Sequence, residues 1–437
     1  MSSILHKIIT KLNSKSAVIG VAGLGYTGLP LAIRFSESGY KVIGLDIDSV
    51  KLNHIQEGRS YISHISNSLI CSAIDNGFEA TDDMEIVKTL DAIILCLPTP
   101  LDDYRSPDLR YVINTVDSLL PCLREGQIIS LESTTYPGTT DEELLPRIES
   151  KGLTVGRDFF LIYSPEREDP GNPDFTTQTI PKVCGGATEA CLRVGLALYG
   201  QVIDRLVPVS SMQVAEMAKL LENIHRAVNI GLVNELKVVA DVMDIDIHEV
   251  IEAASTKPFG FVPYWPGPGW GGHCIPVDPF YFTWRAKKYG VSSQFIELAG
   301  QINRSMPNWI VNKVTLALSR HKKSVNGSNI LVLGIAYKKN VNDMRESPAI
   351  QIMSLLDRLG ANVAYSDPYI PTFPRNRSHY FNLSSIKITS KNLEIYDCVV
   401  IATDHDEFDY CMVERYSSLI VDTRGRYRML SEKVVKA

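Results

Sequence analysis

Nowhere does this sequence run for the roughly 18–20 consecutive apolar residues that a membrane-spanning helix needs, so no membrane partner is expected. No cleavable leader is expected either. The opening segment MSSILHKIITKLNSK is broken by Lys7 and Lys11, and no small-residue cleavage site follows. It reads as an amphipathic helix rather than a signal peptide. There is no excess of positive charge. Lys and Arg number 44 against 50 Asp and Glu, for a net charge of −6. That balance gives no long-range attraction for nucleic acid or an anionic membrane, so an anionic ligand would need a local cluster of donors. None of the eight cysteines forms a CxxC pair. Without a secretion signal they read as reduced thiols, and a cytoplasmic protein is expected. Short-period repeats and low-complexity segments are absent too.

What remains is a globular composition, 45% hydrophobic and 22% charged. At 437 residues the chain is too long for one core, so two or three domains are expected. Short β-branched and apolar runs open the chain: Ser16–Ala22, Lys41–Asp46, Ala92–Leu97 and Gln127–Leu131, with a helix from Leu29 to Ser38. Such runs suit a parallel sheet covered on both faces, and the βαβ order implies a doubly wound domain over residues 1–210. Cys96 and Cys398 lie within apolar runs of this kind and read as core.

The character then changes. Met212–Val242 has no proline, one glycine, and apolar residues at three- and four-residue steps: Val214, Met217, Leu221, Ile224, Val228, Leu232, Leu236 and Val239. This predicts one helix of about 45 Å, at about 1.5 Å per residue, of a length that commonly bridges domains or subunits. Residues 257–279 break all regularity, and a further helix is expected from Ser292 to Ser319. A second βα series follows: Ile330–Ile335, a helix Pro348–Leu359, then Ala361–Tyr365, Cys398–Ala402 and Leu419–Asp422. The expected fold is therefore α/β, with two Rossmann-like doubly wound parallel sheets. A long central helix and a helical middle domain (211–318) join them, and the last domain spans 319–437.

Gly23-Leu-Gly25-Tyr26-Thr-Gly28 follows the first strand and opens the next helix. In a dinucleotide site the first glycine permits the turn, the second admits a pyrophosphate, and the third lets helix and strand pack closely. Asp46 ends the second strand, where a carboxylate accepts from a ribose 2′-OH and repels a 2′-phosphate, so NAD is favoured over NADP. FAD stays open on this motif alone. Lys51 is spaced to reach the adenosine, or is an exposed helix lysine. Thr99 and Thr134 lie just past strand ends, the edge where open α/β sheets bind ligands, though either could be a plain turn residue.

Trp265-Pro-Gly-Pro-Gly-Trp-Gly-Gly-His-Cys-Ile-Pro-Val-Asp278 is the most informative segment. Gly269, Gly271 and Gly272 permit backbone shapes and close approaches that other residues forbid, so Cys274 is placed for chemistry rather than packing. His273 suggests a metal or a Cys–His dyad. No second pair of soft ligands lies at suitable spacing, and adjacent side chains diverge, so His273 more plausibly braces the loop and no metal is expected. NAD takes hydride from an alcohol or hemiacetal, while a thiolate traps an aldehyde and later yields a thioester that water cleaves. Together they suit oxidation of an aldehyde, or of an alcohol through an aldehyde. On the long helix, Lys219 and Asn223 share a face, read here as polar groups set along the apolar stripe. Arg226, further along, would reach an anionic substrate.

These motifs together resemble the UDP-glucose/GDP-mannose dehydrogenase family. The likeness runs in order over nearly the whole chain: Gly23–Gly28, Ser133–Thr139, Ser164–Arg167, Ala218–Asn223, Gly271–Cys274 with Asp278, and Gly334–Ser347. Within the family, the forms at 164–171, 223–229 and 266–276 look like the bacterial UDP-N-acetylglucosamine 6-dehydrogenases, which serve surface polysaccharide synthesis. UDP-N-acetylgalactosamine and UDP-N-acetylmannosamine enzymes look similar. Two departures from UDP-glucose enzymes speak against glucose: Arg167-Glu-Asp-Pro-Gly171 replaces a Phe-Leu-Ala-Glu-Gly type, and Val277 stands where many have lysine. The arginine that reaches across the dimer in those enzymes has no match near Lys257–Phe261.

The resemblance implies a role for each matching residue. Cys274 would be the nucleophile. Lys219 would stabilise oxyanions and act as base in the first oxidation. Asp278, with Lys219 and Thr134, would position water, and Glu166 would take part in thioester hydrolysis. Asn223 would contact the reacting end of the sugar. Arg167, Arg226, Gly271 and Lys338 fall on the substrate side. Gly23, Gly25, Tyr26, Gly28, Asp46, Lys51, Thr99, Thr134 and Arg345 fall on the NAD side. The implied activity is a four-electron, NAD-dependent oxidation of C6 of a UDP-sugar by a homodimer or larger homo-oligomer. A non-catalytic NAD sensor and a two-electron β-hydroxyacid dehydrogenase are the alternatives from other classes.

Overall fold

The computed structural model describes all residues except 1–2, 63–64, 103, 168–173, 273, 375–380 and 430. The chain packs as two compact units, Met1–Glu222 with Phe280–Val291, and Asn223–Pro279 with Ser292–Ala437.

In the first unit, eight strands form one sheet: β1 (Val18–Ala22), β2 (Lys41–Leu45), β3 (Phe78–Thr81), β4 (Ala92–Leu95), β5 (Ile128–Leu131), β6 (Phe160–Tyr163), β7 (Lys182–Gly186) and β8 (Leu206–Pro208). The order is β3-β2-β1-β4-β5-β6-β7-β8. The first six strands are all parallel, in the order of a dinucleotide-binding sheet, with its topological switch between β1 and β4. Every residue of β4, β5 and β6 is buried, because apolar clusters cover both faces. The sheet departs from the parallel expectation at one end. β7 pairs antiparallel with β6 (Ile162↔Gly186), and β8 follows β7 in parallel. No helix is found among the described residues between β6 and β7, so the crossover that a parallel return needs is missing there.

The N-terminal segment folds as a helix, Ser3–Asn13, which buries Leu5, Ile8 and Leu12 in the first core. Lys11 reaches Asp91 at 2.8 Å, and Tyr40 donates to the Leu12 carbonyl at 2.6 Å. Cys398 is fully buried, but Cys96 is only partly so.

The second unit carries a five-stranded, all-parallel sheet: β9 (Asn329–Leu333), β10 (Asn362–Ser366), β11 (Cys398–Ile401), β12 (Ile420–Asp422) and β13 (Val434–Lys436), ordered β10-β9-β11-β12-β13. Helices Gln294–Arg320 and Pro348–Arg358 pack on one face of this sheet.

The long helix spans Met212–Val242, and the division between the units falls within it. Its amphipathicity is inverted relative to the sequence reading. Val214, Leu221, Leu232, Leu236 and Val239 are exposed, while Glu216, Lys219, Asn223, Asn234 and Lys237 are buried. At about 100° per residue the two sets lie on opposite faces. Lys219 and Asn223 therefore do not sit along the apolar stripe. The three- and four-residue spacing identified the helix but does not say which face packs, and Lys219 and Asn223 are buried rather than on a solvent-facing stripe.

One buried acid organises the second sheet. The Asp367 carboxylate accepts from Ile335 N (2.7 Å), Ala336 N (3.0 Å), Tyr369 N (2.9 Å) and Ile370 N (3.1 Å). It also takes His405 Nε2 at 3.1 Å, while His405 Nδ1 accepts from Asn340 N at 2.9 Å. Burial raises the Asp367 pKa, but His405 and the backbone donors pull it below the usual carboxylate range. A lowered carboxyl pKa adds stability above the unfolded value of about 3.9, and that stability is lost as pH falls through the folded value. Asp367→Asn is expected to cost roughly 1–3 kcal/mol at pH 7 by leaving donors unmatched. Thermal unfolding followed against pH should show the gap to wild type narrowing below about pH 4. A gap independent of pH would rule out the ionised carboxylate as its source.

Candidate active site

At the end of β1 the chain turns at Gly23, with φ of 92°; a Cβ there would lie 2.3 Å from the Cys96 carbonyl oxygen. Only glycine fits this turn. A Cβ on Gly28 would lie 1.9 Å from the Gly23 carbonyl oxygen, so the helix Gly28–Glu37 sits directly on the turn. Tyr26 lies between them, partly buried against the first core. Asp46 follows β2. Its Oδ2 accepts from Leu24 N (2.9 Å) and Lys51 Nζ (2.8 Å), and its Oδ1 accepts from Asp48 N (3.0 Å). Burial raises the Asp46 pKa, yet Lys51 and the two backbone donors bring it below the usual value. A cavity of about 300 Å³ opens here, lined by Gly23, Gly25, Asp46, Lys51, Leu97 and Pro98 among others. An ionised carboxylate beside a glycine turn fits the adenosine half of NAD. Lys51 settles on Asp46 rather than in solvent.

Thr99 is buried and Thr134 half-buried, past the ends of β4 and β5. Their loops are tied together, since Leu97 N donates to Ser133 Oγ at 2.8 Å. The loop after β6 is held from several sides. Ser164 Oγ donates to Val183 O at 2.7 Å, and Arg167 donates to Pro181 O at 2.6 Å and pairs with Glu222 at 2.7 Å. Lys219 Nζ, almost fully buried, donates to the Glu166 carbonyl and lies 3.4 Å from its carboxylate.

One residue of this unit escaped the sequence reading. Glu216 accepts from Gly138 N (2.5 Å), Thr140 N (2.9 Å) and Thr140 Oγ1 (2.6 Å), pinning the Thr134 loop to the long helix one turn before Lys219. Burial pushes its carboxyl up to about 7 against the pull of those donors. Its three-residue spacing from Lys219 was a usable signal.

In the second unit, Asn223 Nδ2 donates to Asp278 Oδ2 at 2.6 Å, with both residues buried. The Cys274 carbonyl accepts from Val277 N (3.1 Å) and Asp278 N (2.8 Å), so the cysteine turn runs directly into the helix Asp278–Lys288. Cys274 is half-buried and belongs to no apolar core cluster among the described residues. The loop before it rests on the Gly334–Ser347 segment. Gly272 N donates to Arg345 O at 2.9 Å, and a Cβ on Gly271 would lie 2.5 Å from Tyr337 Cβ. Lys338 is half-buried. Arg345 is exposed and its guanidinium pairs with Asp343 at 2.7 Å. Arg226 is exposed. His273 and residues 168–171 lie outside the described residues. The sequence reading also missed two polar groups packed against this loop, buried Asn234 and half-buried Arg424. Asn234 Oδ1 accepts from Gly267 N at 2.9 Å, and Arg424 lies so close to Gly267 that a Cβ there would come within 2.7 Å of its Nη1.

Asp46→Ala should weaken NAD binding about tenfold and narrow its advantage over NADP, as expected for removal of a charged hydrogen-bond acceptor. Calorimetric titration with each nucleotide checks this, and unchanged NAD affinity would remove Asp46 from the ribose site.

Comparison with known proteins agrees with this geometry. Three profiles of one family match in order: the NAD binding domain of the UDP-glucose/GDP-mannose dehydrogenase family over residues 17–203, its central domain over 213–305 and its UDP binding domain over 331–429. The chain is 35% identical to protein CapL of Staphylococcus aureus, covering 93% of this chain and 95% of that one. It is 32% identical to the UDP-N-acetyl-D-glucosamine 6-dehydrogenase of Pseudomonas aeruginosa, over 90% and 92%. The solved structure of the UDP-D-ManNAc dehydrogenase from Pyrococcus horikoshii superposes with a TM-score of 0.86 at 30% identity, over 96% of this chain and 98% of that one. With all three profiles matched in order along its length, the chain belongs to the UDP-glucose/GDP-mannose dehydrogenase family and is an NAD-dependent nucleotide-sugar oxidoreductase.

Proposed function

We propose that this dehydrogenase oxidises C6 of UDP-N-acetylglucosamine to the carboxylate, giving UDP-N-acetylglucosaminuronate for surface polysaccharide synthesis in the cytoplasm. The observation that supports the chemistry is the buried Asn223–Asp278 hydrogen bond, with Asp278 four residues after Cys274 and its N–H bonded to the Cys274 carbonyl. NAD supplies the hydride acceptor that the side chains lack, in each of two oxidations. The chain does the rest. The Cys274 sulfur bonds to the aldehyde carbon, and the carbonyl oxygen takes a proton. Backbone N–H groups at the start of the following helix favour negative charge nearby. Lys219 steadies the oxyanion. Oxidation of the thiohemiacetal leaves a thioester. Water then attacks its carbon, the C–S bond breaks, and the sulfur regains a proton. Asp278 and Thr134 position that water, and Glu166 takes its proton. Gly23, Gly25, Tyr26, Gly28, Asp46, Lys51, Thr99 and Arg345 hold NAD, while Arg167, Arg226, Gly271 and Lys338 hold the sugar nucleotide.

The glucosamine assignment rests on the sequence forms at 223–229 and 266–276 and on the P. aeruginosa relative. The mannosamine epimer is the second reading, favoured by the fold match to the P. horikoshii enzyme. Turnover of a panel of UDP-sugars separates them. Two NADH per sugar nucleotide are expected, and a yield of one refutes the four-electron scheme. Cys274→Ala should lower steady-state turnover by at least about 10³-fold, as expected for loss of a covalent nucleophile.

The exposed stripe Leu232, Leu236, Val239 and Val242, with Phe295 and Leu298 also exposed, supports assembly with a second copy of the chain. Leu236→Arg should shift the mass in solution from dimer to monomer. A monomeric wild type at low micromolar concentration would dismiss this assembly.

A further inference from the structure

Behind the Glu166 loop lies a buried ion pair that the reaction scheme does not use. Glu132 is 1% exposed and sits 2.5 Å from Lys182 Nζ, whose own exposure is 7%. Lys182 also donates to the Pro165 carbonyl at 3.2 Å and lies 4.9 Å from the centroid of the Tyr199 ring. The second Glu132 oxygen, Oε1, is buried with no hydrogen-bond partner from the protein. Isolated polar oxygens are expensive to bury, so an orphan inside a functional domain needs an explanation. A cavity of about 30 Å³ adjoins it, lined by Glu132, Glu166, Arg167 and Lys182, with Thr27 and Ile180 also on its wall. That volume holds one or two water molecules, and the walls offer the polar partners that a buried water requires.

We propose that this cavity is a water-bridged proton relay from Glu166 to Glu132, serving thioester hydrolysis. The proposal rests on the reading of Glu166 as the base of that step. The proton balance is closed. Water attacks the thioester carbon and gives its proton to the Glu166 carboxylate. Glu166 passes it through a cavity water to the Glu132 carboxylate, which becomes a carboxylic acid. The net charge of Glu166, Glu132 and Lys182 together is unchanged by the transfer, and while Glu132 is neutral the Lys182 ammonium keeps the Pro165 carbonyl and the Tyr199 ring as partners. Glu166 returns to its basic form, and Glu132, whose ionised form Lys182 favours, gives the proton back through the cavity water to solvent before the next cycle. Burial favours a protonated Glu132, and the Lys182 ammonium opposes it. The other groups facing Glu132 are Tyr199, hydrogen-bonded to Ser130 at 2.7 Å, and Cys184, whose thiol burial pushes up to about 12. Arg167 lies on the cavity wall but is already bonded to Pro181 O and Glu222. Neither the tyrosine nor the thiol is a proton acceptor at neutral pH, which leaves Glu132.

Glu132→Gln keeps the shape and one acceptor but cannot take the proton. Rapid-mixing kinetics with the sugar nucleotide and NAD should then show a retained burst of two NADH per site. A steady-state rate at least about tenfold slower should follow, with a larger solvent deuterium isotope effect and a shifted pH profile. Glu132→Asp should recover part of the rate. If burst and steady state fall together, or the pH profile stays put, the pair is only structural and the relay is wrong. Should Glu132→Gln fail to fold, Ile180→Trp fills the cavity and leaves the ion pair intact. The same slowed steady state is expected there, and unchanged kinetics overturn the proposal. A wild type yielding one NADH per sugar would sink the four-electron reading instead, which keeps the two failures apart.

Discussion

Five buried polar side chains on one helix are the constraint from which the functional geometry follows. Glu216, Lys219, Asn223, Asn234 and Lys237 all point away from water on Met212–Val242. Each would cost free energy if left without a partner. Each partner is a loop that carries a candidate site residue, or a strand end. Glu216 takes the Thr134 loop, Lys219 the Glu166 loop and Asn223 Asp278. Asn234 takes the base of the cysteine loop, and Lys237 donates to Thr423 O at 3.0 Å. Loops are the mobile part of a fold, so five such tethers convert flexible segments into placed ones. Burial pushes the Lys237 amine down to about 7, against the pull of Asp422, and the Glu216 carboxyl up to about 7, so the tethers at both ends of the series are sensitive to pH near neutrality.

The same constraint explains the apolar exterior of the helix. The inward half of the helix holds these polar tethers together with Met212, Ala215, Leu220, Ala227, Val233 and Ala240, while Leu232, Leu236 and Val239 lie exposed. That arrangement is poor for an isolated helix. It is reasonable if the outer side meets a second copy of the chain, as proposed above.

Much of this was legible in the sequence. The buried strands appeared as continuous apolar runs, and the long helix was located to the residue, because proline is absent and the spacing is regular. The glycine turn and Asp46 carried their own context. Other features left no local signal. The reversal at β7 depends on a connection without a helix, and no run of residues announces it. The packed face of the long helix was not legible, because hydrophobic spacing does not say which side turns inward. Glu132 and Lys182 stand 50 positions apart, so their pairing belongs to tertiary structure alone. Cys96 was taken for core from its apolar neighbours, and it packs partly buried against the first core while its carbonyl abuts Gly23 and it also lines the cavity there.

The two sheets show why related folds need not share a ligand. Each places an aspartate after the second strand of its series, Asp46 after β2 and Asp367 after β10. Asp46 spends its oxygens on Leu24, Asp48 and Lys51 and remains on the wall of an open cavity. Asp367 is buried and takes four backbone donors together with His405. A carboxylate with five partners has no capacity left for a ribose hydroxyl. His405 in turn fixes Asn340, in the segment that carries Lys338. The equivalent acid thus stays on a cavity wall in the first sheet and is a structural pin in the second.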